Sequence, residues 1–137
     1  MSLLEVRLIQ LPILEDFRGN LSFFEGTSHI PFEMQRSYWI YDVPGGQTRG
    51  GHSFKRQHEF IVALSGSFDV KLNDGVSDKT YSLNRSYYGL YVPNMIWREM
   101  LNFSTNSLAL IVSSTHYSDA DYIRDYNIFQ KLALDEK

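Results

Sequence analysis

One short segment of the chain carries side chains that could bind an anion and move a proton. His52 lies between two cations, Arg49 and Lys55. An imidazole titrates near neutrality, so His52 could take a proton from carbon and return it. Arginine guanidinium groups bind phosphate oxygens through two parallel hydrogen bonds. The segment therefore indicates a site for a small anionic organic molecule, with His52 as the candidate general base.

Further side chains of the same kinds are spread along the chain. The candidate cations for such a ligand are Arg18, Arg36, Arg49, Lys55 and Arg98. The aromatic rings that could stack on a base or a sugar are Tyr38, Trp39, Tyr91 and Trp97. For each of these rings, packing in the core is the alternative role.

Length and composition indicate one compact domain over residues 1–137. The chain has 137 residues, a net charge of -3, 15% aromatic residues and no cysteine. This composition excludes disulfides and thiolate metal sites, and the charge gives no indication of nucleic-acid binding. No stretch reaches the ~20 apolar residues of a membrane span, and the N-terminal residues lack a signal-peptide pattern. We therefore expect a cytoplasmic protein that binds neither nucleic acid nor membrane.

Short apolar or alternating runs recur between turn signals, which is typical of an all-β protein. The sequence predicts strands over residues 6–11, 21–25, 35–41, 58–64, 67–72, 79–83, 89–92 and 107–113. The run Asn73-Asp74-Gly75 predicts a tight turn with positive φ. About nine strands in all predict a jelly roll or a closed sandwich.

The hydrophobic period changes near the C-terminal end. Ile123, Tyr126 and Phe129 follow one another at helical spacing. Ser118 precedes acidic residues in the manner of a helix N-cap. The pattern predicts a helix over about residues 118–134 whose apolar stripe packs on the barrel.

The segment around His52 resembles the first motif of the cupin barrels. Gly46, His52, Glu59 and Gly66 fall at the spacing of that motif, whereas Phe54 stands where the motif has a second histidine. The resemblance implies a cupin-type jelly roll (a double-stranded β-helix) with a C-terminal α-helix. A structural interpretation stands beside it. Phe54 would fill the barrel, and Glu59 would be a strand residue paired with a neighbouring basic side chain.

Residues 93–102 resemble the second cupin motif. Pro93 and Asn102 are in register with that motif, and Arg98 stands at its metal-binding histidine. A metal site needs about three or four converging nitrogen and oxygen ligands, and the two motifs leave only His52 and Glu59. The guanidinium of Arg98 is a permanent cation that would repel a metal ion. We therefore expect no metal.

A closer resemblance covers nearly the whole chain. The matching segments are residues 16–21, 36–40, 49–55, 72–75, 89–93, 97–100 and 121–126. The segment 49–52 reads Arg-Gly-Gly-His against the family's Arg-Gly-x-His, and the segment 121–124 matches its closing Asp-Tyr-Ile-Arg. In these segments the chain resembles the WxcM-like cupins, the sugar-nucleotide 3,4-ketoisomerases of bacterial deoxyamino-sugar synthesis.

This resemblance implies a reaction on a dTDP-4-keto-6-deoxyhexose without metal or redox cofactor. A base removes the C3 proton, which the C4 ketone acidifies; an enediol forms, and a proton returns at C4. The resemblance also implies a homodimer, which would cover exposed edge strands. The catalytic residues would be His52 and Tyr38. The substrate-binding residues would be Arg18, Arg36, Arg49, Lys55, Trp97, Arg98 and Glu99.

Two departures from the family leave three hypotheses open. Phe54 and Arg98 replace histidines of the family, and neither replacement is a useful acid or base. The first hypothesis is an active isomerase with His52 as base and Tyr38, or another hydroxyl, as proton shuttle. The second is a binding module that holds a nucleotide sugar without reaction. The third is a dTDP-sugar 3,5-epimerase, a metal-free jelly roll that also has an Arg-Gly-x-His segment.

Overall fold

The computed structural model describes residues 2–136. Within them, the strands are β1 (Arg7–Gln10), β2 (Ile13–Leu14), β3 (Leu21–Ser22), β4 (Arg36–Tyr41), β5 (Arg49–Phe54), β6 (Glu59–Ser65), β7 (Phe68–Asn73), β8 (Asp78–Leu83), β9 (Tyr88–Val92), β10 (Trp97–Leu101), β11 (Leu108–Ser113) and β12 (Tyr122–Ile123). One α-helix, α1, spans Tyr126–Asp135, and short 3-10 helices span Leu3–Glu5 and Asp119–Asp121.

Ten of these strands form two five-stranded antiparallel sheets. The first sheet has the order β1-β9-β6-β11-β4, the second has the order β12-β5-β10-β7-β8, and β2 and β3 form a separate pair. Alternate side chains of each strand point to the same face, so both sheets turn one set inward. The main core between them includes Ile61, Leu72, Leu90, Met100 and Ile111, none of which is exposed. The predicted jelly roll with a C-terminal helix is confirmed.

The strand prediction is incomplete where the sequence is polar or rich in glycine. β5 and β10 were not among the predicted strands, although they are central to the second sheet. β5 contains two glycines and a histidine, and β10 contains a charged pair, so neither shows an apolar alternation. The predicted strand 21–25 ends at Ser22. The predicted tight turn is present, and Gly75 has φ +97°.

The predicted helix over residues 118–134 is wrong over residues 118–125, close to half of its length. Residues 119–121 form a 3-10 helix, and β12 pairs with β5. The carboxylate of Asp121 accepts hydrogen bonds from the backbone N–H groups of Arg56 and Gln57. These bonds and the strand pairing hold this segment out of an α-helix. α1 instead begins after Asp125, whose side chain caps the N–H of Ile128, while the side chain of Ser118 makes no capping bond.

The outer face of the second sheet is covered by α1. Phe129 and Ala133 of this helix pack with Met95, Trp97 and Ile123 in a separate apolar cluster. The prediction that an apolar helical stripe packs on the barrel therefore holds for residues 126–135. Within residues 2–136, no helix is long and apolar enough to cross a membrane.

Candidate active site

Both sheets contribute polar side chains to one end of the barrel interior. His52 on β5 and Arg98 on β10 are direct partners in the antiparallel register, so their side chains lie on the same face of the second sheet. Tyr38 on β4 and Glu59 on β6 come from the facing sheet. The hydrogen bonds that join Arg98 to Tyr38 and Glu59 show that these inward-facing residues meet.

Arg98 and Glu59 form a buried ion pair, each with a side chain 2% exposed. Nε of Arg98 donates to Oε1 of Glu59 at 2.5 Å, and Nη2 donates to Oε2 at 3.2 Å. The hydroxyl of Tyr38 donates to Oε2 of Glu59 at 2.5 Å and accepts from Nη2 of Arg98 at 2.8 Å. The interpretation of Glu59 as a strand residue paired with a basic side chain therefore agrees with the structure.

The ion pair determines which groups in the network are charged. Burial opposes the charged form of Glu59, but the charge of Arg98 and the hydrogen bonds from Arg98 and Tyr38 outweigh burial and lower the pKa of Glu59. Burial also disfavours the charged form of Arg98, yet the Glu59 carboxylate raises the pKa of Arg98 overall. Burial and the Glu59 charge raise the pKa of Tyr38 well above its ordinary value. At neutral pH the network thus holds an arginine cation, a carboxylate and a protonated phenol.

The remaining nitrogen of the Arg98 guanidinium, Nη1, lies beside a glycine. Nη1 of Arg98 donates to Sδ of Met100 at 3.4 Å. A Cβ atom on Gly50 would lie 2.5 Å from this Nη1, and Gly50 has φ +77°, where L side chains are disfavoured. The register between β5 and β10 shifts in the same region, between Arg98 and Met100. A glycine at position 50 therefore leaves the room that the guanidinium occupies.

His52 has an imidazole nitrogen without a hydrogen-bond partner among the described residues. Its Nε2 is buried and has no hydrogen-bond partner among residues 2–136. Burial and the neighbouring charge of Arg98 lower the pKa of His52 to about 3. The imidazole is therefore neutral at physiological pH. In the tautomer that carries its proton on Nδ1, this unpartnered Nε2 can accept a proton or a hydrogen bond from a ligand.

Two aromatic rings form the wall beside His52. Its ring centroid lies 4.9 Å from that of Phe54 and 5.1 Å from that of Tyr122. Tyr122 is the register partner of Phe54, and the guanidinium of Arg124 lies 4.2 Å from the Tyr122 ring centroid. Phe54 is 4% exposed, so it fills the barrel as the structural interpretation predicted.

A second group of contacts leads from the network towards the surface. Arg36 lies over the rings of Tyr38 and Tyr117, with its Cζ 5.1 and 5.4 Å from their centroids. Nη2 of Arg36 donates to Oε1 of Gln57 at 3.0 Å, and Nε2 of Gln57 donates to Oε2 of Glu59 at 3.0 Å. Beside these residues is a cavity of about 360 Å³, lined by Lys55, Arg56, Thr115, His116, Tyr117, Ser118, Ala120 and Asp121.

The predicted site residues divide into those that meet and those that lie apart. His52, Tyr38 and Arg98 form the centre, with Arg36 adjacent and Lys55 at the neighbouring cavity. Arg49 is exposed at the start of β5.

Four other predicted residues do not reach this centre within one chain. Trp97 and Glu99 alternate with Arg98 along β10 and so lie on the opposite face, where Nε1 of Trp97 donates to Oε1 of Glu99 at 3.3 Å. Arg18 is exposed and paired with Asp16. Tyr91 stacks on His58 in the outer cluster of the first sheet, away from Tyr38.

Sequence reasoning missed three polar contributors to the site. Gln57, Thr115 and Tyr122 contact the site residues, yet none was singled out. One signal was available for Gln57. It lies two residues before Glu59, and strand alternation places such residues on one face. Thr115 follows the last predicted strand and Tyr122 lies within the predicted helix over residues 118–134, so their positions at the site could not be inferred. Among residues 2–136 no cluster of histidine and acidic side chains could hold a metal ion.

Comparison with known proteins identifies relatives over almost the full chain. The family described as FdtA, WxcM-like, C-terminal, matches residues 4–133. A TDP-4-oxo-6-deoxy-alpha-D-glucose-3,4-oxoisomerase of Aneurinibacillus thermoaerophilus is 36% identical over 93% of this chain and 92% of its own. A mutant of the 3,4-ketoisomerase QdtA from Thermoanaerobacterium thermosaccharolyticum, solved with TDP-4-keto-6-deoxyglucose, has a TM-score of 0.95 at 34% identity, covering 98% of this chain and 97% of that one.

A more distant structure shares the fold alone. A dTDP-4-dehydrorhamnose 3,5-epimerase from Bacillus anthracis has a TM-score of 0.77 at 16% identity, covering 89% of this chain and 79% of that one. The epimerase hypothesis therefore has less support than the resemblance to the ketoisomerases. The family match over residues 4–133, the relative at 36% identity and the close structural agreement show that this chain belongs to the FdtA family of WxcM-like proteins.

Proposed function

We propose that this protein interconverts the 4-keto and 3-keto forms of a TDP-linked 6-deoxyhexose by proton transfer between C3 and C4. The observation that carries the proposal is the buried, unpartnered Nε2 of His52, which lies in the barrel next to Arg98. Relatives at 34–36% identity bear the names of ketoisomerases of such sugars. No metal or redox cofactor is required, because the ketone itself acidifies the neighbouring C–H.

His52 is proposed as the base that takes the C3 proton. The free imidazole is a weak base because its pKa is lowered to about 3 by burial and by Arg98. During the reaction the substrate becomes an enediolate, whose negative charge favours the imidazolium form. The basicity of His52 therefore rises as the proton moves, which is the behaviour required of a base that must also return a proton.

Arg98 is proposed to stabilise the enediolate. Its guanidinium is fixed by Glu59 and Tyr38 before substrate arrives. Of its five N–H groups, four are used by Glu59, Tyr38 and Met100, and one on Nη1 has no partner among residues 2–136. A fixed, buried donor is most effective where charge develops in the transition state. The ion pair leaves one such donor on the side of Gly50 and His52.

Tyr38 is proposed as the group that exchanges a proton with the substrate oxygens or C4. Its raised pKa keeps the phenol protonated at neutral pH, as a general acid must be. Loss of its proton would place a phenolate next to Glu59, so Arg98 has to offset the added charge.

The pyrophosphate of the nucleotide is proposed to be bound by Arg36, Arg49 and Lys55. The predicted roles of Arg18, Trp97 and Glu99 have no support within one chain.

The proposal is tested by incubation with TDP-4-keto-6-deoxyglucose in D2O. We expect NMR to show solvent deuterium at C3 of the recovered 4-ketosugar and at C4 of a new 3-ketosugar, whose C3 carries no hydrogen. The control is the same protein without the nucleotide sugar, together with the nucleotide sugar without protein. Recovery of the substrate without deuterium would contradict the proposal.

A binding module is the second candidate, and specific observations favour it. Phe54 is buried at a family histidine position, and Arg98 is committed to an ion pair. Neither can move a proton at neutral pH. The same incubation separates the two candidates, because a binding module would bind TDP in calorimetry and yet exchange no proton.

We also propose that two copies form a homodimer in the cytoplasm. Apolar side chains are exposed on and around the β2–β3 pair, including Ile13, Leu14, Phe17 and Leu21. A two-stranded ribbon is only marginally stable by itself, and exposed apolar surface often marks an interface. We expect light scattering at micromolar concentration to give twice the mass of the chain. Substitution of Leu14 and Leu21 by serine should shift the mass towards the monomer, and a monomeric wild-type protein would contradict the dimer.

A further inference from the structure

We propose that Gln57 is a positioning residue that orients the Glu59 carboxylate, and through it Tyr38 and Arg98, for proton transfer. The inference rests on the proposed ketoisomerase function. Gln57 is 2% exposed and lies in the link between β5 and β6. Its side chain connects Arg36, which is proposed to bind the pyrophosphate, with the buried ion pair.

The hydrogen bonds of Gln57 define the orientation of its side-chain amide. Oε1 accepts from Nη2 of Arg36 at 3.0 Å and from Oγ1 of Thr115 at 2.9 Å. Nε2 must then face Glu59, and it donates to Oε2 at 3.0 Å. The backbone N–H of Gln57 donates to Oδ2 of Asp121 at 3.1 Å. Three parts of the chain therefore converge on this residue.

The amide matters because Oε2 of Glu59 is a shared acceptor. It receives the hydroxyl of Tyr38, the amide of Gln57 and Nη2 of Arg98. Rotation of the carboxylate would change the direction in which the Tyr38 hydroxyl donates, and it would also change the two hydrogen bonds that Glu59 accepts from Arg98. The amide of Gln57 opposes that rotation. A movement of about 1 Å in groups that act on the substrate can reduce turnover about 100-fold.

The substitution Gln57→Glu tests the inference through the pH dependence of turnover. A protonated glutamic acid has the shape of glutamine; its O–H can donate to Glu59 and its carbonyl can accept from Arg36 and Thr115. When it ionises, two carboxylates face each other at about 3 Å, and like charges at this distance disfavour a second ionisation. We expect kcat near the wild-type value at low pH and a fall of about tenfold or more as pH rises and the new carboxyl ionises. The pH profile of kcat for the wild type should show no such fall, or basic limb, as pH rises.

The matched control is Gln47→Glu, which introduces the same charge at an exposed residue. It should leave the pH profile of kcat unchanged. A purely structural Gln57 would change stability without adding an ionisation to kcat. If Gln57→Glu does not fold, Gln57→Met keeps the length of the side chain without its hydrogen bonds, and we expect it to lower kcat about tenfold or more with a smaller change in KM.

The outcomes distinguish this inference from the function on which it rests. If the wild type exchanges the C3 proton but Gln57→Glu has the same pH profile of kcat as the wild type, only the inference is overturned. The same holds if Gln57→Met has the wild-type kcat. Absence of exchange by the wild type would overturn the proposed function and the inference with it. A basic limb that appears only in Gln57→Glu would support both.

Discussion

The substitution His52→Asn is expected to slow exchange of the C3 proton with solvent by ~100-fold or more, while the affinity for TDP changes little. Asparagine has a similar polarity but no nitrogen that accepts a proton. The loss should appear in kcat, because the side chain acts on the sugar ring rather than on the nucleotide. Deuterium incorporation measured by NMR and TDP binding measured by calorimetry separate the two effects.

The control for this substitution is His29→Asn. His29 lies between β3 and β4, where its Nδ1 accepts a hydrogen bond from the backbone N–H of Glu25. Its replacement should leave exchange at the wild-type rate. Exchange within threefold of wild type in His52→Asn would show that another group takes the proton.

The pKa of His52 also determines the expected pH profile of the wild type. Burial and Arg98 lower this pKa to about 3, so the free enzyme keeps the neutral base down to acid pH. The plot of kcat/KM should therefore show no inflection near pH 6.5, the ordinary pKa of a histidine. An acidic limb with its midpoint near 6.5 would contradict the lowered pKa of His52 in the free enzyme.

The substitution Glu59→Gln is expected to lower the free energy of unfolding by about 3–5 kcal/mol, because it leaves the Arg98 cation buried without a counter-charge. Both side chains of the pair are 2% exposed, so water cannot replace the lost carboxylate. Denaturant unfolding followed by circular dichroism provides the measurement. The matched control is Asp119→Asn, which breaks the exposed pair with Arg124 and should cost no more than about 1 kcal/mol.

A double substitution tests the cause of this loss. Changing Arg98 to Met in the Glu59→Gln background removes the unpaired charge, so stability should recover in large part. The difference between wild type and Glu59→Gln should also shrink in acid. Folding lowers the pKa of Glu59 below 4.5, so the contribution of its charge is present above that pH and is lost as pH falls. A double variant as unstable as the single one would contradict this explanation.

The sequence predicted the fold class and three side chains that meet at the centre of the candidate site, for physical reasons that can be named. Alternating apolar runs and turn residues predicted all five strands of the first sheet, because those strands bury one face in the core. The two motifs placed His52 and Arg98 on strands that turned out to be direct neighbours. A linear motif does not show whether each side chain points to the inner or the outer face of its sheet. Trp97 and Glu99 were assigned to the ligand with Arg98, but alternation along β10 separates them from it.

The remaining errors arise where tertiary contacts override local pattern. Residues 118–124 have the acids and spacing of a helix start, yet Asp121 binds two backbone N–H groups of the β5–β6 link. Gln57 and Thr115 are far apart in the sequence, and only the closed barrel brings them together. A single sequence contains no sign of such a long-range polar contact.

The close approach of Gly50 to Arg98 affects the order in which substitutions at these two positions could be accepted. While an arginine fixed by Glu59 and Tyr38 occupies position 98, any side chain at position 50 meets Nη1 at 2.5 Å. With a shorter residue at position 98 that obstacle disappears, and only the cost of a positive φ remains. The effect of a substitution at position 50 thus depends on the residue at position 98. The two positions are epistatic, and a mutational path that enlarges position 50 must first pass through a smaller residue at position 98.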